Sequence, residues 1–323
     1  MDRIIQHLKK SNHVLVASHT DPDGDAIGSL LAMGAALERL DKKIFLFNES
    51  PIPAVYRFLP FIELIEHEIP ESSGFDTAVI LDCGNLQRVG KGVSAVSRIP
   101  VILNIDHHVT NNSFGTCQLI DTKACSTAEI VYRIIESMGI PVNTEMATSI
   151  YTGILTDTGS FRFSNTNRSA FRICEEMIGF GVNPYEVAQH VYGTYSLGRI
   201  RLLNLALDSI EISANGRLSM MTITSDMIRE TGTHSEDIDG LINYARRIED
   251  VRIAALIQEL NNDSGRSNGL KQFHVSLRSD GTFDVSAFAS GFGGGGHASA
   301  AGFNIVTTLS TLKAEILRLS EKI

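Results

Sequence analysis

At 323 residues the chain exceeds a typical single hydrophobic core, so two domains are expected, and 43% hydrophobic with 20% charged residues is an ordinary globular composition. No apolar run nears the roughly 20 residues that span a bilayer and the N-terminus lacks a signal-peptide pattern, so a cytoplasmic protein without a membrane span is expected. A formal net charge of −9, with no dense Lys/Arg run apart from Arg246-Arg247, excludes a grip on long nucleic acid and favours a short or small phosphate substrate.

In chain order, residues 14–18 read as a buried strand that delivers His19, and 26–40 as a helix of many small residues packed against a sheet. Residues 44–47 and 77–81 are further strands, the second ending at Asp82, and 101–105 is another, ending at Asp106. Helices follow over 127–138 and 144–155, the latter with Met146, Ala147, Ile150, Tyr151 and Ile154 on one face and Asp157 just past its end. Strands alternating with helices imply a mostly parallel sheet flanked by helices. Residues 167–191 are helical with a turn at Gly181-Val-Asn-Pro184, and 196–207 read as a connecting helix.

Composition then changes. Strands over 209–213, 217–224, 252–260 and 273–278 are joined by turns such as Ala214-Asn215-Gly216 and Ser279-Asp280-Gly281, with helices over 285–292 and 309–320. This half reads as a smaller α+β domain on its own mixed sheet. The expected division is therefore 1–190, a linker helix over 191–208, and 209–323. Four cysteines (Cys83, Cys117, Cys125, Cys174) lack zinc-ribbon spacing and read as reduced thiols.

His and Asp recur where these elements end: His19-Thr-Asp-Pro-Asp23-Gly-Asp25, Asp82-Cys-Gly, Asp106-His107-His108 and Thr156-Asp157-Thr-Gly. Each piece alone has a bland reading as a turn, a helix cap or a solvated acid. Together, and in this order, they form a donor set of hard oxygens and imidazoles suited to Mn²⁺, Mg²⁺ or Zn²⁺. In an extended segment Asp23 and Asp25 point to the same side. His19 reaches back to a first ion, Asp82 is the natural bridge, and His107 and Asp157 complete six ligands with open positions for water and substrate. Asp106 suits a partner that orients an imidazole, which leaves His108 to face substrate. Two ions about 3.5–4 Å apart are a recurrent device for hydrolysing phosphate esters.

A second cluster, Gly293-Gly-Gly-Gly296-His297-Ala-Ser-Ala-Ala-Gly302, reads on composition as a linker, but its place between folded segments favours a phosphate-binding loop. Arg278, at a strand end, is a candidate phosphate clamp, with a solvated surface arginine as the bland alternative.

Taken together, the chain resembles the DHH/DHHA1 phosphoesterase family over nearly its whole length. The DHH motifs lie at His19–Asp25, Asp82, Asp106–His108 and Asp157, and the Gly-Gly-Gly-His signature at Gly294–Gly302. The flanking words Thr156-Asp-Thr-Gly-Ser-Phe-Arg162-Phe and Val275-Ser-Leu-Arg278-Ser resemble the nanoRNase/pAp phosphatase branch. The resemblance implies an active site in the cleft between a DHH domain and a DHHA1 domain. It implies hydrolysis of short RNA to mononucleotides and of 3′-phosphoadenosine 5′-phosphate to AMP. By matching positions, His19, Asp23, Asp25, Asp82, His107 and Asp157 would hold two divalent ions, Mn²⁺ ahead of Mg²⁺. Asp82, Asp106 and His108 would be catalytic, and Arg278, Gly294, Gly295, Gly296 and His297 would hold substrate.

Asp21 departs from the pattern, since relatives often carry a neutral side chain there. The expected partners are short RNA and nucleotide bisphosphates, with a homodimer among the oligomeric states allowed. The rivals are a cyclic- or linear-dinucleotide phosphodiesterase, a manganese pyrophosphatase, which would lack the Gly294–Gly302 signature, and a non-catalytic nucleotide sensor.

Overall fold

Short apolar runs in the first half of the chain pair into one six-stranded sheet, seen in a computed structural model that describes residues 1–70, 74–193, 195–260 and 270–321. The first compact unit, Met1–Thr194, runs α1 (Asp2–Lys10), β1 (His13–Ala17), α2 (Gly24–Glu38), β2 (Lys43–Phe47), β3 (Ile65–Glu66), β4 (Thr77–Leu81), α3 (Val93–Val96), β5 (Val101–Asp106) and β6 (Cys117–Ile120). It closes with α4 (Thr127–Ser137), α5 (Thr144–Asp157), α6 (Arg168–Gly179) and α7 (Pro184–Tyr192).

Its strand order is β3-β2-β1-β4-β5-β6 and every pairing is parallel. Parallel strands are covered on both faces, which explains their largely apolar character. Val14, Val16, Val79, Leu81, Leu103 and Ile105 bury one face against the helices, whereas Leu15, Ala17, Phe47, Ala78 and Ile80 bury the other. Each Val, Leu, Ile or Phe among them stabilises the fold by roughly 1.5–3 kcal/mol when fully buried. The order reverses between β1 and β4, and ligands of open α/β sheets bind at such a switch, beyond the C-terminal strand ends.

Helix α2 is buried from Gly24 through Met33 and beyond, and its small residues allow that depth. A β-carbon at Gly28 would stand 2.3 Å from the carbonyl oxygen of Ser149 on α5, so the two helices meet backbone to backbone.

The second unit, Tyr195–Ile323, runs α8 (Leu197–Asp208), β7 (Glu211–Ile212), β8 (Leu218–Ile223), α9 (Ser225–Thr231), α10 (Ile242–Arg246), β9 (Ile253–Leu260) and β10 (Lys271–Ser279). After these come α11 (Val285–Ser290), β11 (Gly295–His297), β12 (Ala300–Thr307) and α12 (Leu309–Ser320). The sheet order is β11-β12-β10-β9-β8-β7, mixed because β8 and β9 run parallel while the other pairs are antiparallel. Helix α8, read from sequence as a connector, packs its Leu202 and Ala206 with Met221, Ile223 and Ala254 of this sheet.

The structure differs from the sequence reading at the glycine cluster. Gly295–His297 is an edge strand paired with β12, not a free loop. A β-carbon would lie 2.1 Å from the Gly302 carbonyl oxygen at Gly294 and 2.4 Å from that of Ala300 at Gly296, where φ is +143°. Those two glycines are required by the hairpin's own packing. Gly293 and Gly295 have open space around their α-carbons.

Candidate active site

Strands β1, β4 and β5 each run out into a site residue at the C-terminal edge of the first sheet. His19 lies two residues past β1, Asp82 directly follows β4, and β5 ends on Asp106 with His107 and His108 after it. Asp82 turns the chain sharply, with φ of +59°, while its backbone N–H donates to the Ile105 carbonyl at 3.0 Å.

Asp23 and Asp25 are not placed by the alternation of an extended segment. Asp23 is the N-cap of α2, its Oδ1 accepting from the N–H groups of Asp25 and Ala26 at 3.0 Å, and Asp25 lies in the first turn. Asp25 is fully buried and accepts N–H bonds from Thr127 (2.6 Å) and Ala128 (2.8 Å), the first residues of α4. Asp157 is the last residue of α5 rather than a residue beyond it, and Asn165 Nδ2 donates to its Oδ2 at 3.2 Å.

Three groupings of side chains have one ligand atom each within 4.8 Å of one another: His19, Asp23 and Asp82; Asp25, His107 and Asp157; and Asp82, His107 and His108. The first two partition the six expected ligands around Asp82. Asp82 Oδ2 lies 3.4 Å from His19 Nε2, and its Oδ1 lies 3.7 Å from His107 Nε2. His107 Nε2 is also 3.5 Å from Asp157 Oδ2 and 4.0 Å from Asp25 Oδ2. Each oxygen of Asp82 thus faces a different set.

The tautomers follow from the hydrogen bonds. His19 Nδ1 donates to the Thr20 carbonyl at 2.8 Å, so Nε2 faces Asp82, where it donates when the imidazole is protonated and can ligate a metal when it is neutral. His108 Nδ1 is committed to Asp106 Oδ1 at 2.7 Å, so the third grouping is a poor ligand set. Asp106, fully buried, also accepts from the His107 N–H and from Asn111 Nδ2.

Charge decides what the cluster needs. Burial, then the charges of Asp82 and Asp157, push the Asp25 carboxyl well above the usual range, although the two α4 N–H donors favour its ionised form. Asp157 is raised for the same reasons, with Asp23 and Asp82 the repelling charges. Burial would raise Asp82 too, but the hydrogen bond and charge of His19, then His108 and His107, pull it below the carboxylate range. Burial alone would lower His108, yet Asp106 and Asp82 carry it up to about 9. A buried group of mutually repelling carboxylates beside imidazole lone pairs fits divalent cations, which supply the missing positive charge.

Several residues here were not singled out in the sequence. Thr127 donates its hydroxyl to Asp82 Oδ1 at 3.0 Å, Asn111 braces Asp106, and Asn165 braces Asp157. Arg88, whose carbonyl accepts from the N–H of Thr20 at 2.8 Å, lends positive charge felt by both His19 and His108. The only sequence signal was Ser126 followed three residues later by Glu129, which marks a helix start and says nothing of function. Asp21, with φ of +52°, occupies a left-handed turn that Asp and Asn tolerate, and it belongs to none of the three groupings.

On the second unit, β10 pairs Arg278 with Ala300, and β11 pairs His297 with the same Ala300. Cross-strand partners share a face, so Arg278 and His297 flank one small residue on one side of the sheet, about 10 Å apart at the backbone. Burial, opposed by Asp239 and aided by Arg246, presses the Arg278 guanidinium below its ordinary value, and its Nη1 donates to the Leu277 carbonyl at 3.0 Å.

A parallel sheet with imidazoles and carboxylates gathered beyond its switch point, followed by a second unit on a mixed sheet, defines the architecture of a metal-dependent phosphoesterase. Residues 13–154 match the DHH family, N-terminal domain, and residues 219–322 match the DHHA1 domain. A bifunctional oligoribonuclease and PAP phosphatase NrnA of Thermus thermophilus is 33% identical over 90% of this chain and 83% of its own. The protein of that name from Bacillus subtilis is 26% identical over 94% of this chain and 92% of its own. The crystal structure of an exopolyphosphatase-related protein from Bacteroides fragilis superposes with a TM-score of 0.91 at 26% identity, covering 99% of this chain and 95% of that one. The chain belongs to the DHH/DHHA1 phosphoesterase family. No helix among the described residues is long and apolar enough to cross a membrane, and the four cysteines are buried free thiols.

Proposed function

We propose that the protein hydrolyses short oligoribonucleotides to nucleoside monophosphates and removes the 3′-phosphate of 3′-phosphoadenosine 5′-phosphate to give AMP. Support comes from the two NrnA-named relatives and from the low basic content of a chain with net charge −9. The observation that carries the reading is Asp82, each of whose oxygens faces one of two ligand groupings. His19, Asp23 and Asp82 would hold one ion, and Asp25, His107, Asp157 and Asp82 the other, with Mn²⁺ the proposed metal and Mg²⁺ its substitute. Such ions, when bound, lower the pKa of water and offset charge on phosphoryl oxygens. We place the enzyme in the cytoplasm, where buried thiols stay reduced.

The remaining chemistry belongs to side chains. Asp106 fixes His108 with Nδ1 protonated, so His108 presents Nε2 for a proton held toward a leaving oxygen or donated to a phosphoryl oxygen. Thr127 fixes the rotamer of Asp82. On the second unit, Arg278 and His297 would clamp substrate phosphate, with the backbone of Gly294, Gly295 and Gly296 beside them. The test is Mn²⁺-dependent turnover of an RNA dinucleotide, a long RNA oligomer and 3′-phosphoadenosine 5′-phosphate, with Asp82→Ala as control. Fast cleavage of the dinucleotide and the bisphosphate, slow cleavage of the oligomer and a dead control are expected. Hydrolysis of a cyclic dinucleotide in preference to all three would overturn the substrate assignment.

A further inference from the structure

The face of the second sheet that carries Arg278 and His297 continues along β10 and β12. Ser276, Gly302 and Gly295 form the next row, and His274 with Asn304 the row after that. The opposite face, with Phe273, Val275 and Leu277, is buried, but no hydrophobic cluster among the described residues includes His274, Ser276, Gly302 or Asn304. The middle row is a floor of small residues, with nothing within 4 Å of a β-carbon placed at Gly295. From the Arg278 row to the His274 row is four residues, about 13 Å along the strand, comparable with one nucleotide from phosphate to base.

His274 is built to present an acceptor over that floor. Its Nδ1 lies 2.7 Å from Asn304 Oδ1, an oxygen that can only accept, so Nδ1 carries the proton. Nε2 then keeps a lone pair, and a β-carbon at Gly302 would stand 3.5 Å from that atom and from Cε1. A side chain at 302 would therefore begin in contact with the ring.

We propose that the His274–Asn304 pair reads the base of the substrate nucleotide whose phosphate Arg278 and His297 hold. This rests on the nucleotide-hydrolase reading above. The Nε2 lone pair accepts from an exocyclic amine, as on cytosine or adenine, and repels the carbonyl oxygen that uracil places at the same position. His274 is thereby a specificity residue.

Cytosine and uracil differ mainly at this edge, so they make the cleanest probes. The experiment measures CMP and UMP binding by calorimetry, and kcat/KM on CpC and UpU, for the full-length protein and for His274→Phe and Asn304→Leu. A preference of about fivefold or more for the cytidine ligands is expected. In His274→Phe, which keeps the ring and loses the acceptor, the ratio should fall to near one, and Asn304→Leu should weaken it. Equal binding of CMP and UMP by the unaltered protein, or a preference that survives in His274→Phe, overturns the proposal. Absent turnover of both dinucleotides, with a CMP preference that His274→Phe removes, would sink the oligoribonuclease reading and leave base recognition standing.

Discussion

The Asp25 carboxylate accepts a 2.6 Å hydrogen bond from the backbone N–H of Thr127, a residue 102 positions further along the chain. Its other oxygen takes the N–H of Ala128 at 2.8 Å. One buried side chain of α2 therefore satisfies the otherwise unpaired N–H groups that open α4, and it does so inside the proposed ligand set. The fold and the site share this contact.

Gly153 of α5 guards it. A β-carbon there would stand 3.0 Å from Asp25 Oδ1 and 2.7 Å from the β-carbon of Ala128. Gly153→Ala should destabilise the protein by about 1–3 kcal/mol through overpacking and weaken metal binding as well. Denaturant unfolding and Mn²⁺ titration read the two effects. A variant that is less stable but binds metal normally would show that Asp25 can shift without loss to the site.

Thr127 serves Asp82 through its side chain, donating at 3.0 Å to the oxygen that faces His107. Thr127→Val keeps the volume and removes the donor, so kcat should fall by about tenfold, worth roughly 1.5 kcal/mol of lost hydrogen bonding to a charged group. Thr127→Ser should restore most of it. Equal loss in both variants would mean that the methyl contact matters rather than the hydroxyl.

Beyond the site, Arg133 of α4 donates to Asp121 Oδ2 at 2.6 Å and clasps the end of the edge strand β6. Burial, the largest single effect, would raise the Asp121 carboxyl, but the hydrogen bond and charge of Arg133 together with the N–H groups of Lys123 and Ala124 outweigh it, and the group sits below its ordinary value. For a depressed carboxyl the stabilisation is present above the unfolded value of about 3.9 and is lost as pH falls through the folded value. The advantage of the unaltered protein over Asp121→Asn should be about 1 kcal/mol or less at pH 7 and shrink as the pH falls below about 4. Thermal midpoints across that range decide it, and an advantage that grows in acid would reverse the sign claimed for Arg133.

The strands that carry site residues were readable because each is a short, mainly apolar run. Residues 77–81 were read with the ends of β4 itself, and α12 likewise. The edge strands β3 and β6 escaped, being two and four residues long with mixed polarity. Strand β11 escaped because glycine has low strand propensity, and only its pairing with β12 makes Gly295–His297 extended. The recurrence of His and Asp at element ends, whose side chains the structure gathers into the groupings described above, was legible. The positive φ of Asp82 and the service of Asp25 to α4 were not, since both are set by contacts far away in sequence. Thr127 and Asn165 gave no functional signal, as hydroxyls and amides near helix ends ordinarily cap them.

The central claim is that Asp82 is shared by two ion sites. Its most direct test is the number of Mn²⁺ ions retained per chain after equilibrium dialysis, measured by elemental analysis for the unaltered protein and for Asp23→Asn, Asp157→Asn and Asp82→Asn. Two ions are predicted for the unaltered protein, one for each of the first two variants, and close to none for Asp82→Asn. Two ions retained by Asp82→Asn, or a single ion in a fully active unaltered protein, would contradict it.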